Sequence, residues 1–188
     1  MYGCVINGEE LKKMIEKGEI IIDPFDESLL TPSGIDLRLG FEFATIKPVI
    51  YNEVDLVKNL NEIEEEDIKL MYEKHSSSEY DGYIIFKPKT FTLTTTMEYV
   101  KLPPNVIALC ELRSTLARYG LVIPPTVVDC GFEGELTIEV INLSSITYKI
   151  RRGTKFLHMI FLRTCSETQY VGKYKGQRGV RLPKPLKD

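Results

Sequence analysis

Residues 106–142, VIALCELRSTLARYGLVIPPTVVDCGFEGELTIEVIN, decide how this chain is read. Val106, Ala108, Cys110 and Leu112 recur at every second position, the period of a strand with one buried face. Near the other end, Leu136, Ile138 and Val140 share one face, while Glu135, Thr137, Glu139 and Ile141 take the opposite one. Between them, Arg113-Ser-Thr-Leu-Ala-Arg118 suits a helical turn starting at Ser114, and Pro124, Pro125 and Gly131 punctuate the return. Arg113, Ser114, Thr115 and Arg118 thus gather just beyond one strand. Asp129 closes the apolar pair Val127–Val128, and Glu139 falls in mid-strand.

The same period spreads outward. Residues 90–100, TFTLTTTMEYV, alternate through Phe91, Leu93, Thr95, Met97 and Tyr99. Residues 31–43, TPSGIDLRLGFEF, read as a turn and a strand, with Asp36 and Arg38 together on the face opposite Ile35, Leu37 and Leu39. KFLHMIFL, residues 155–162, is apolar on both faces and predicts a buried strand. Before these, Asn7 with Glu10 resembles a capping pair for a helix whose face is Leu11, Met14 and Ile15, ended by Gly18. EIIID at 19–23 follows as a short strand. Many short strands with Gly/Pro punctuation predict a mainly β protein, a barrel or sandwich with one N-terminal helix.

Two stretches depart from that pattern. Residues 53–74 carry Leu56, Leu60 and Ile63 at helical spacing, with Asn61 and Glu64 placed to cap a turn. The acidic run 64–67 favours a helix N-terminus and reads as the solvated face of an insertion spanning 53–80, with a loop over 75–82. The tail QYVGKYKGQRGVRLPKPLKD reads as a mobile arm over 167–188 on a single domain of 188 residues.

Composition narrows the function. At 43% hydrophobic residues the chain can bury a core, and no apolar run approaches the roughly 20 residues of a membrane span. With no apolar leader in MYGCVINGEELKK, a cytoplasmic location is expected. Net charge is −3, so no general basic field invites nucleic acid, and an anionic ligand needs local cations. Arg113 and Arg118 supply them. Four dispersed cysteines, no CxxC and two histidines predict neither structural zinc nor a disulfide framework.

Two guanidinium groups with the hydroxyls of Ser114 and Thr115 suit a polyphosphate. Asp129, at a strand end beside a turn, can hold a water or simply form the turn. Glu139 shares its face with Ile141, so it need not be wet; in an enclosed pocket it would have a raised pKa and could shuttle protons. Asp36 could hold magnesium through water, or pair with Arg38 or a backbone amide. Cys130 has no histidine near it and reads as a small buried side chain. His158, within an apolar run, reads as a core or subunit-interface residue.

Taken in order, SGIDL (33–37), LRSTLA (112–117), TVVDCGFEGE (126–135) and GTKFLHMIF (153–161) resemble the four motifs of the dUTPase/dCTP deaminase superfamily. The resemblance implies a distorted jelly-roll-type β-barrel that forms a homotrimer with sites between subunits. It implies phosphate binding by Arg113, Ser114, Thr115 and Arg118, with Lys173 and Gln177 from the tail. Val127, Val128 and Tyr170 fall where base and sugar are read. Asp129 matches the carboxylate that positions water in dUTPases, and Asp36 the position that helps hold Mg2+ with the substrate phosphates. Glu139 matches the deaminase general base, and the tail is deaminase-like. Pro124–Pro125, however, replaces the deaminase loop that carries a histidine and an alanine. The mixture most resembles archaeal-type dUTPases, so hydrolysis of dUTP to dUMP and pyrophosphate is the leading expectation. A dCTP deaminase or a bifunctional enzyme comes next, and a non-catalytic nucleotide-binding protein third. No zinc-deaminase signature (H-x-E with P-C-x-x-C) is present.

Overall fold

The structure is a computed structural model and describes residues 4–47 and 59–186. Among the described residues thirteen strands dominate, and every ladder between them is antiparallel. They are β1 (Val5–Ile6), β2 (Ile21–Asp23), β3 (Leu30–Thr31), β4 (Gly34–Ile46), β5 (Tyr72–Ser76), β6 (Tyr83–Phe86) and β7 (Phe91–Lys101). The second half contributes β8 (Val106–Leu112), β9 (Leu121–Val122), β10 (Thr126–Val128), β11 (Glu133–Asn142), β12 (Tyr148–Arg151) and β13 (Lys155–Arg163). The main sheet runs β10-β8-β13-β4-β7-β11-β9, and β6 pairs with β12 separately.

The long strand β4 makes the sheet curl. Its first half pairs with β13 and its second half with β7 and β5, with a register shift between Leu39 and Phe43. Gly40 sits at that shift. A Cβ there would lie 2.3 Å from Thr95 Oγ1 and 2.8 Å from the Thr96 carbonyl oxygen, so only glycine lets β4 press against β7. The result is the expected mainly β, dUTPase-like fold, a curled antiparallel half-barrel. Leu37, Leu39, Phe43, Phe86, Phe156 and Phe161, all essentially inaccessible, fill its inside.

Helix α1 (Gly8–Glu16) buries Leu11 and Met14 as expected. Its predicted capping pair does not form: Asn7 donates instead from Nδ2 to the Pro32 carbonyl, 2.8 Å away. In the insertion, the acidic run does begin a helix, α2 (Glu65–Met71), but Glu64 and Asp67 form its capping box rather than Asn61 and Glu64. Leu56 lies outside the described residues. Beyond α2, the segment read as helix and loop contains β5, held by its ladder to β4. No helix among the described residues is long and apolar enough to cross a membrane.

Strand β7 is buried on both faces in its middle, and its even face is polar: Thr92, Thr94, Thr96 and Glu98. Thr94 Oγ1 donates to the Glu42 carbonyl at 3.2 Å. Thr96 Oγ1 donates to the Glu98 carbonyl and accepts from the Leu136 amide. The Glu98 carboxylate, fully buried, takes the Arg38 amide at 2.8 Å and Arg38 Nε at 2.5 Å. Burial pushes the Glu98 carboxyl above its usual range despite that arginine.

Candidate active site

A cavity of about 330 Å³ opens beside β10 and β11. It gathers Val127, Val128, Asp129, Glu139, Tyr170 and Gln177, six of the residues singled out from sequence. Asp129 and Glu139 are its two lining carboxylates. Its walls are mostly apolar, including Phe91, Leu93, Ile123 and Leu136. Glu139 faces Leu93 across the β11–β7 ladder and is half-buried; burial raises its pKa above the ordinary glutamate value. A carboxyl so placed can exchange a proton with a bound water. Cys110 also lines the cavity, but burial pushes its thiol up to about 12, so it is not a nucleophile.

Strand β10 ends the sheet, leaving one edge of its backbone outside the ladder. Amide and carbonyl groups along such an edge can hydrogen-bond a flat heterocycle without any charged side chain. Tyr170 packs its ring 5.6 Å from Phe132, and its hydroxyl accepts from the Tyr174 amide.

The tail, read as a mobile arm, is docked. Gln177 bridges to Gly134 on β11, and its Nε2 donates to the Glu135 carbonyl at 2.6 Å. Val180 is 1% exposed. Arg181, Leu182 and Pro183 line the cavity, a contribution the sequence did not reveal because backbone bonds carry most of the docking. Gln177, read from sequence as a phosphate-binding residue, also lines the cavity. With Nε2 engaged, its Oε1 is a buried acceptor without a partner among the described residues. Lys173 lies elsewhere: Nζ donates to the Pro185 carbonyl at 3.3 Å, beside the acidic start of α2.

The cationic set stands apart from the cavity lining. The predicted helical turn is α3 (Ser114–Ala117), with Arg113 before it, and Ser114, Thr115 and Arg118 exposed. Arg113 Nε pairs with Asp36 Oδ2 at 3.1 Å. His158 Nδ1 meets the other oxygen of Asp36 at 3.0 Å, and its Nε2 meets Ser33 Oγ at 3.0 Å. Asp36 therefore pairs with neither Arg38 nor a backbone amide; Arg38 is committed to Glu98. Both Asp36 oxygens are engaged and the residue is 5% exposed, which does not fit a magnesium ligand. Among the described residues no group of three or more His, Cys, Asp or Glu is arranged to hold a metal.

His158, read from sequence as a core or subunit-interface residue, has a mostly buried side chain that bonds Asp36. The register places it beside Asp36 on β4 and Glu111 on β8, on the outward face of the sheet. The same face carries two apolar rows, Val127–Leu109–Ile160 and Ile107–Leu162–Val5, with Val127 55% and Val5 47% exposed.

Comparison with known proteins agrees with this geometry. The profile of the family described as dCTP deaminase-like matches residues 5–164. A Caldivirga maquilingensis protein named dCTP deaminase is 46% identical over 178 residues, covering 95% of this chain and 94% of its own. One of the same name from Acidianus ambivalens is 44% identical over 184 residues, covering 96% and 97%. In fold, the chain resembles the 2'-deoxycytidine 5'-triphosphate deaminase from Agrobacterium tumefaciens, with a TM-score of 0.65 at 14% identity. That match covers 87% of this chain and spans 49% of the Agrobacterium chain. Motif order, curled sheet and relatives converge: the chain belongs to the dCTP deaminase-like family, within the dUTPase/dCTP deaminase superfamily.

Proposed function

We propose that the protein is a dCTP deaminase, converting dCTP and water to dUTP and ammonia. This places deamination ahead of the dUTP hydrolysis first expected from sequence, because relatives that cover nearly the whole chain carry that name. The observation that carries the reading is Glu139, half-buried with a raised pKa in a cavity whose neighbouring wall is the β10 edge. In its charged form Glu139 takes a proton from water, and the oxygen adds to C4 of the cytosine. Of the two water protons, one ends on N3 and one on the departing amine. The C4–N bond breaks, ammonia leaves and C4 becomes a carbonyl. Backbone groups of Val127 and Val128 hold the base edge. Arg113 and Arg118 neutralise the triphosphate and Ser114 and Thr115 donate hydrogen bonds to it, with Asp36 and His158 fixing the Arg113 guanidinium. Magnesium accompanies the triphosphate as its counter-ion, and no residue here is assigned to hold it.

Because Arg113 and Arg118 stand outside the lining of the cavity that holds Glu139, we infer that the working site is shared between copies of the chain. A homotrimer packed through the outward apolar rows supplies that arrangement.

A second reading rests on Asp129, the other carboxylate of the same cavity. It would orient water towards the α-phosphate, giving dUMP and pyrophosphate in a bifunctional enzyme. Offering dCTP and dUTP separately tests both. Ammonia and dUTP from dCTP are expected; pyrophosphate and dUMP from dCTP add the second activity. Consumption of dUTP with dCTP untouched overturns the proposal in favour of a plain dUTPase.

A further inference from the structure

The insertion and the C-terminal arm meet at one point. Lys74, on β5, donates from Nζ to the Val180 carbonyl at 2.9 Å. The Val180 amide donates to Glu42 Oε2 at 2.9 Å, on the strand that pairs with β5. Between these bonds the Val180 side chain is buried with Ala44 and Leu93, and Tyr72 of β5, Phe91 and Leu182 pack against them. Gly179 makes the approach possible. Its φ is +62°, and a Cβ there would lie 2.4 Å from Glu42 Oε2. On the other side, Glu135 accepts the Gly179 amide at 2.7 Å and Arg178 Nη1 at 3.1 Å. The next three residues, Arg181, Leu182 and Pro183, together with Phe91 and Leu93, line the cavity.

We propose that Lys74 is a positioning residue through which the insertion fastens the C-terminal arm as the roof of the catalytic cavity. This rests on that cavity being the nucleotide site. Strand β5 carries no residue that lines the cavity, so its influence passes through Val180. Glu42 grips the amide and Lys74 the carbonyl of the same residue, which fixes the two peptide planes flanking Val180 at the entry to the roof. Without the ammonium, the carbonyl loses its protein partner and residues 179–183 open more often. The nucleotide is then retained less well while the groups that act on it stay in place.

Two measurements on the full chain test this. Amide hydrogen exchange, read without substrate, compares wild type, Lys74→Met and Lys74→Arg. Loss of one charge-assisted hydrogen bond should speed exchange at Val180 and Arg181 by about tenfold in Lys74→Met. Amides of Ile138 and Val140 should keep their rates, and Lys74→Arg should restore protection. Steady-state kinetics with dCTP should show KM raised about tenfold with kcat unchanged, again rescued by arginine. Unchanged exchange at 180–181, or equal acceleration at Ile138 and Val140, overturns the proposal; so does a fall in kcat at constant KM. If wild type turns over neither dCTP nor dUTP, the catalytic reading fails while the exchange experiment still decides whether Lys74 holds the arm.

Discussion

Replacing Glu139 by glutamine tests the catalytic reading most directly. Glutamine keeps the length and shape of the side chain in the middle of β11, where the backbone is held by ladders to β7 and β9. The walls of the cavity and the β10 edge should therefore be undisturbed, and the KM for dCTP should stay within about threefold of wild type. What disappears is proton acceptance, and a positioned general base contributes 10²–10⁴-fold, so kcat should fall by roughly 10³-fold. Ammonia release from dCTP, coupled to product separation, reads this directly. The pH profile carries a sign. Burial raises the Glu139 pKa, and the charged form is the active one, so wild-type activity should fall on acidification at a pH above the ordinary glutamate value of 4.5. Stability runs the other way. With the folded pKa above the unfolded one, Glu139 favours folding below the unfolded pKa and loses that contribution as pH rises through the folded pKa. At neutral pH the Glu139→Gln protein should accordingly melt higher than wild type, and the gap should close in acid. Retention of more than about a tenth of wild-type kcat would refute the base assignment. An unchanged melting temperature at neutral pH would refute the burial argument behind it.

Two further outcomes follow from the ion pairs. His158→Phe removes the Nδ1 bond to Asp36 while filling the same space, leaving the carboxylate to orient Arg113 alone. Loss of roughly one hydrogen bond of orientation should raise the KM for dCTP three- to tenfold with little change in kcat, and an unchanged KM would disconnect His158 from the site. Glu98→Ala leaves Arg38, whose side chain is 20% exposed, without its buried partner. Denaturant unfolding should show a loss of about 3–5 kcal/mol, largely recovered in the Arg38→Met/Glu98→Leu double variant.

What could be read from sequence divides along physical lines. The alternation in 135–142 was legible because a strand with one buried face imposes period two, and β11 alternates as expected. The one-turn helix after Arg113 was legible from its local residue types. By contrast, the partners of Asp36 were not, since His158 lies 122 residues away and only the β4–β13 register brings them together. Strand β5, YEKHS, lacks apolar alternation; it is a strand because β4 offers it an edge. The tail misled for a related reason. Its many glycines and lysines suggest freedom, yet Gly179 is there to permit close approach, and the polar chain is held through its backbone.

The separation of charges between two surfaces leads to a last test. Arg181 lines the cavity with Asp129 and Glu139, but Arg113 and Arg118 do not. Here Arg113 is engaged by Asp36 on the outward face, and Asp129 and Glu139 lie in the cavity under the arm. Strand β8 joins the two sides: Cys110 points into the cavity, Leu109 and Glu111 point outward, and Arg113 follows at its end. A shared site then needs Glu139 from one copy and Arg118 from another. Mixing inactive Glu139→Gln with inactive Arg118→Ala, then allowing subunits to exchange, should rebuild sites. With equal amounts and random assembly, each intact site needs two independent choices of one half, so activity should return to about a quarter of wild type. Sites contained within single subunits would return none, and that outcome would remove the assembly argument while leaving the Glu139 chemistry standing.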